Sequence, residues 1–163
     1  MNINLSEKER MLLEDQKNHE EICIEKYSNY ANQASDPQLK QIFNQNGQEE
    51  KNHLNTINQL LSGTIPQMNQ QQGQQQNQQQ NQQQQNQNLS SSTNQASGCN
   101  CEKDMCTDLL MTEKYVSGAY DTSIFEFKDP QARNVLNHIQ KEEQQHGEKI
   151  FNYMQNNGMY NVK

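Results

Sequence analysis

The residues with chemistry in them come in matched sets. Glu143 and His146 form a Glu-x-x-His pair within LNHIQKEEQQHGEKI, and Glu50 and His53 form the same pair, each residue 93 positions before its counterpart. Glu20 and Glu113 keep the same 93-residue offset, and each precedes its Glu-x-x-His by 30 residues. On a helix, residues three apart face the same way, so each pair presents a carboxylate beside an imidazole. Four glutamates aimed at one core would repel one another, and burying them unpaired costs several kcal/mol each. Two divalent cations would balance the four charges, with the imidazoles completing the ligation. The candidate metal ligands are therefore Glu20, Glu50, His53, Glu113, Glu143 and His146, and no catalytic residue is assigned.

That set, one Glu from each of two helices and Glu-x-x-His from each of two others, is the dinuclear carboxylate site of ferritin-like bundles. Carboxylate and imidazole suit iron and manganese alike, so the expected cofactor is a pair of Fe or Mn ions. The alternative is that the glutamates swing outward and stay hydrated. Tyr27 and Tyr120 also correspond at the 93-residue offset, two turns beyond Glu20 and Glu113. They read either as hydrogen-bond donors to the carboxylates or as aromatic core fillers. His19 and His138 face Thr112 and Gln45 at the matching positions and read as surface residues.

The elements that must hold these residues are helices. Ser6 with Glu9 has capping-box spacing, and Leu13, Gln16, Glu20, Cys23, Tyr27, Ala31 and Ala34 follow at steps of three and four. Ser35-Asp36-Pro37 stops that helix and starts the next, whose inward stripe runs Leu39, Ile42, Phe43, Glu50, His53, Ile57, Leu60 and Leu61 before Gly63. The second arm repeats the plan. Leu109, Glu113, Val116, Tyr120, Ile124 and Phe127 precede the break at Asp129-Pro130. Val135, Leu136, Ile139, Glu143, His146, Ile150 and Met154 then lead to Gly158. The expected fold is all-α: a ferritin-like four-helix bundle of two repeated helical hairpins.

The chain divides accordingly into an N-terminal hairpin at 1–63, a Gln/Asn-rich linker at 64–104 and a C-terminal hairpin at 105–163. Residues 67–88 are almost wholly Gln and Asn, a composition that cannot bury enough apolar surface to order itself. A flexible chain of about 40 residues spans roughly 35 Å, close to the roughly 38 Å of a 25-residue helix, so the linker can strap across the bundle. Its exposed glutamines, Gln67 to Gln87, are candidate acyl donors for cross-links to lysines.

Only 30% of residues are hydrophobic, but the linker accounts for much of that polarity. A net charge of −7, with no basic cluster, argues against nucleic acid and against an anionic membrane surface as partners. No stretch resembles a signal peptide or a membrane span, which implies synthesis in the cytoplasm without export. Cys99, Cys101 and Cys106 match no zinc spacing, and with Cys23 they read as reduced thiols.

The arm from Asp108 to Tyr160 resembles the coat F family of spore coat proteins from endospore-forming bacteria. The shared features are the Asp-Leu-Leu start, Glu113-Lys114, Ala119-Tyr120, Asp129-Pro130, the Glu-x-x-His and the closing run from Phe151 to Tyr160. The resemblance implies a helical bundle, a place in the spore coat, other coat proteins as partners and a role in coat assembly rather than efficient catalysis. It leaves homo-oligomerisation open. A looser similarity to rubrerythrins and manganese catalases rests on the six candidate ligands and implies, alternatively, a peroxide-consuming oxidoreductase. Here Val116 stands where rubrerythrins carry a further glutamate, and their four-cysteine electron-transfer domain has no counterpart in these residues.

Overall fold

A computed structural model describes residues 2–67 and 99–161. Four helices make up the described residues: α1 (Glu7–Gln33), α2 (Pro37–Leu61), α3 (Cys99–Glu126) and α4 (Pro130–Asn156). Each hairpin packs its own two helices together, α1 on α2 and α3 on α4, and the hairpins meet through α1 against α3 and α2 against α4. The Gln/Asn-rich run and its proposed acyl donors, apart from Gln67, lie outside the described residues.

Local chemistry sets the helix ends. Ser6 caps α1 in a full capping box, its hydroxyl accepting from Glu9 N while the Glu9 carboxylate accepts from Ser6 N. Asp36 and Asp129 cap α2 and α4, each accepting from two backbone N–H groups, with Pro37 and Pro130 in the first turn, where a missing N–H is harmless. Gly63 and Gly158 follow α2 and α4 at φ +83 and +68, a left-handed conformation that glycine adopts without a Cβ penalty. One departure concerns α3, which already begins at Cys99, within the segment 64–104 expected to be linker.

The hairpins are tied end to end by two equivalent hydrogen bonds. Glu9 Oε1 accepts from Lys128 N at 2.9 Å, and Glu102 Oε1 accepts from Ser35 N at 2.8 Å. Glu9 and Glu102 are 93 residues apart, as are Ser35 and Lys128. These contacts join opposite ends of α1 and α3, so the two helices run antiparallel. Between the ends, Lys26 bridges to Asp108 at 2.8 Å, and Tyr30 donates to the same carboxylate.

The inward stripes of the helices form the core, with Ile42, Leu61 and Ile124 only partly buried rather than fully inward. Several polar residues join it as well. Asn46 is fully buried, and Gln16 donates to Ser123 Oγ at 3.1 Å in the core. Gly47 is buried where a Cβ would come within 3.0 Å of the Tyr27 Cβ, so it allows α2 to lie close against α1. His19 is half-buried, edge-on to Tyr115, rather than at the surface as its sequence position suggested.

Candidate metal centre

Glu20, Glu50, His53, Glu113, Glu143 and His146 all face the bundle interior, none more than 3% exposed. Each helix supplies its share: Glu20 from α1, Glu50 and His53 from α2, Glu113 from α3, Glu143 and His146 from α4. Their ligand atoms gather into two groups of four, Glu20–Glu50–His53–Glu143 and Glu50–Glu113–Glu143–His146, with the atoms of each group within 4.8 Å of one another. Glu50 and Glu143 belong to both groups, so they are the carboxylates placed to bridge two cations.

The imidazoles sit side by side, ring centroids 5.7 Å apart and nearly parallel. Each turns one nitrogen inward and the other outward. His146 Nδ1 lies 2.9 Å from Glu50 Oε1, and its Nε2 lies 2.6 Å from Glu49 Oε2. His53 Nδ1 lies 3.1 Å from Glu143 Oε1 and 3.3 Å from Glu50 Oε2, while its Nε2 lies 3.0 Å from Glu142 Oε2. Glu49 and Glu142 are thus outer carboxylates that fix ring orientation and leave Nδ1 facing the core, an arrangement that raises ligand basicity. Sequence reading passed over both as neighbouring surface glutamates, although their shared offset was a signal. Tyr27 donates to Glu113 and Tyr120 to Glu20, each reaching across to the other hairpin's carboxylate. Asn46 donates to the Tyr27 oxygen at 3.1 Å, and Lys149 holds Asn46 and Glu49 at 3.1 Å.

The electrostatics are those of a core with surplus negative charge. Burial pushes the Glu20 and Glu113 carboxyls well above the usual range, with neighbouring carboxylates adding to the effect. Burial acts on Glu50 in the same sense, but hydrogen bonds from His146 and His53 outweigh it and hold that carboxyl low. Burial would lower both imidazoles, yet the carboxylates around them prevail. His53 is raised well above its ordinary value, and His146 to about 9. For Glu49, burial is likewise outweighed, by the His146 hydrogen bond, and its value falls to about 2.

Protons thus stand where cations would. Even so, Glu20 Oε2, Glu113 Oε2 and both oxygens of Glu143 are buried without a hydrogen-bond partner. Glu143 Oε1 is near His53 Nδ1 but off the line of a hydrogen bond. Four buried acceptor atoms without donors are a large unmet demand for positive charge. The donor set of carboxylate oxygen and imidazole nitrogen fits Fe or Mn. His138 lies outside this core, 41% exposed and 3.3 Å from Glu142. Cys23 is a buried thiol, Cys106 is buried and Cys101 is exposed; no metal group among the described residues includes them.

Fold and site together define an α-helical bundle with a carboxylate–histidine core. Residues 102–163 match the family model of the Coat F domain, and that part of the chain is a Coat F domain. The match covers α4 and nearly all of α3, and it supports a spore coat role. No curated protein and no solved structure matches the chain. No described helix is long and apolar enough to cross a membrane.

Proposed function

We propose that this is a spore coat protein whose ferritin-like bundle, formed by hairpins 1–63 and 105–163 around the intervening strap, binds two Fe or Mn ions and takes part in coat assembly. The Coat F domain supports the place and the partners, namely the spore coat and other coat proteins. The observation that carries the metal reading is the pair of buried Glu/His groups sharing Glu50 and Glu143. Glu20, Glu50, His53 and Glu143 would hold one ion, and Glu50, Glu113, Glu143 and His146 the other. Bound there, the ions would supply charge neutralisation that locks the four helices together, and Lewis-acid or redox capacity. Glu49, Glu142, Tyr27 and Tyr120 orient the ligands and hold protons at their outer atoms.

Metal analysis of the protein purified with added iron or manganese tests this reading. About two ions per chain, lost together with several degrees of melting temperature on chelation, are expected. Absence of metal from a folded protein would overturn it. A second reading, a peroxide-consuming oxidoreductase, is favoured by one observation: a cavity in the C-terminal hairpin reaches Glu113 and Glu143. Catalase or peroxidase turnover by the loaded protein separates the two.

A further inference from the structure

The cavity has a volume of about 470 Å³ and is lined by α3 and α4 alone. That size falls within the roughly 300–1,000 Å³ of small-molecule sites. Its space comes from two small residues, Ser117 on α3 and Gly147 on α4. At the matching places in the N-terminal hairpin stand Ile24 and Leu54, both half-buried. Leu110 and Phe151 give the cavity apolar walls, where the N-terminal hairpin has Lys17 and Asn58. The two hairpins therefore share the carboxylates but not the wall in front of them.

The inner end of the cavity is acceptor-only. Glu113 and Glu143 line it, no more than 2% exposed, and three of their oxygens have no hydrogen-bond partner. At the outer side stand exposed Lys114 and Glu148, whose opposite charges favour neither an anionic nor a cationic ligand. A ligand that fits has an uncharged apolar body and one polar group at its buried end. An ammonium can only donate, which suits bare carboxylates but not carboxylates already neutralised by cations. A carboxylate ligand can only accept, and Glu113 and Glu143 would repel it. A hydroxyl does both, donating to a free carboxylate oxygen or offering its lone pairs where cations hold the carboxylates. A flat ring carrying it suits a slot between two helices and can pack on Phe151.

We propose that the α3/α4 cavity is a binding site for a small phenol-class ligand, entered from the C-terminal hairpin through the gap left by Ser117 and Gly147. The hydroxyl would point to Glu113 and Glu143. The loaded form of this site rests on the metal reading above; the cavity itself does not.

The test uses 4-fluorophenol and fluorine NMR, with full-length protein both metal-free and incubated with Mn(II), whose uptake is measured separately. Line broadening by the wild type, weakened about tenfold or more in affinity by Ser117→Ile with Gly147→Leu at unchanged melting temperature and manganese content, is the expected result. Should that double variant not fold, Gly147→Ala serves instead. Its Cβ would meet only ordinary contacts, 3.7 Å from Leu110 and 3.9 Å from Glu113, and about threefold weaker binding is expected. Equal binding by a folded filled variant overturns the proposal, as does no binding by the wild type in either form. If the protein takes up no manganese, the metal reading falls, and binding in the metal-free arm alone decides for or against the cavity.

Discussion

The N-terminal and C-terminal hairpins carry the same inward chemistry on different outer walls. Glu20, Tyr27, Glu49, Glu50 and His53 answer to Glu113, Tyr120, Glu142, Glu143 and His146, and the contacts correspond as well as the letters do. Around that shared layer the halves diverge. Asn46 and Gly47 pack at Tyr27, where the C-terminal hairpin has Ile139 and Gln140; Ser117 and Gly147 open a cavity where the N-terminal hairpin has Ile24 and Leu54. What stays equal is the set of groups whose charges must balance in one place. What differs is packing, where each half needs only to fill or leave its own space.

The largest effects should come from asking which residues belong to both halves of the centre. Glu50 and Glu143 are members of both four-residue groups, whereas Glu20 and Glu113 each belong to one. Glu50→Gln or Glu143→Gln should therefore abolish binding of both ions, while Glu20→Gln or Glu113→Gln should leave about one ion per chain. Metal analysis of the purified variants reads this directly. In the metal-free protein the sign reverses for Glu143. Its two unpartnered oxygens make the native state less stable, and Glu143→Gln should raise stability by about 1 kcal/mol in chemical denaturation.

The six ligand candidates were legible because helical period and a constant offset agree at each of them. Burial confirms that the carboxylates face inward, against the alternative of hydrated, outward glutamates. Glu49 and Glu142 were harder to read. They stand beside the inward glutamates, at the border of the buried stripe, where a charged residue usually faces water. Asn46 was hidden because its counterpart is Ile139, so the offset gave no polar match. The start of α3 at Cys99 was missed because Ser- and Asn-rich residues upstream offer no sharp stop or cap. A cavity depends on volume left unfilled, and Gly147 acquires meaning only beside Leu54.

Next in size are the outer carboxylates. Glu49→Gln and Glu142→Gln should each weaken metal binding by about 10–100-fold, roughly 1.4–2.7 kcal/mol, by loosening the imidazole that each orients. Competition with a chelator of known affinity measures it. Lys149, 3.1 Å from Glu49, adds a second partner to one side, whereas Glu142 has His138 at 3.3 Å. Lys149→Met should therefore weaken binding modestly, by a few-fold, and through His146 alone.

Acidity gives a further comparison, between the metal-free and loaded states. His53 and His146 hold their protons to higher pH than a free imidazole, His146 to about 9, and Glu20 and Glu113 are raised too. A group whose folded value is raised stabilises the native state while it is protonated. That contribution is complete below the unfolded value and is lost as pH rises through the folded one. For the imidazoles the loss runs from about 6.5 to about 9 for His146. Glu49 and Glu142 have lowered values and contribute a constant amount across that window. The metal-free melting temperature should thus fall from pH 6.5 to 9. Cations compete with the same protons, so metal uptake should strengthen over that range. Calorimetric scans of both forms should show the gap between their melting temperatures widening; a constant gap would separate metal uptake from these protons.

The smallest expected effect separates the two tyrosines. Tyr120 donates to Glu20 and has no other hydrogen bond among the described residues, whereas Tyr27 donates to Glu113 and also accepts from Asn46 Nδ2 at 3.1 Å. Both rings are fully buried, so replacement by Phe keeps the ring packing and removes only the oxygen. Tyr120→Phe then leaves one carboxylate oxygen without a donor. Tyr27→Phe leaves the Glu113 oxygen and also an Asn46 N–H, in a place that water does not reach. Stranding a buried polar group costs about 1–3 kcal/mol, so Tyr27→Phe should be the more damaging of the two by roughly 1 kcal/mol in the metal-free protein. Asn46→Leu in the Tyr27→Phe background tests the cause, because it removes the stranded donor along with its partner. If the difference between the tyrosines arises there, that second change should cost less than Asn46→Leu alone, and additive losses would place the difference elsewhere.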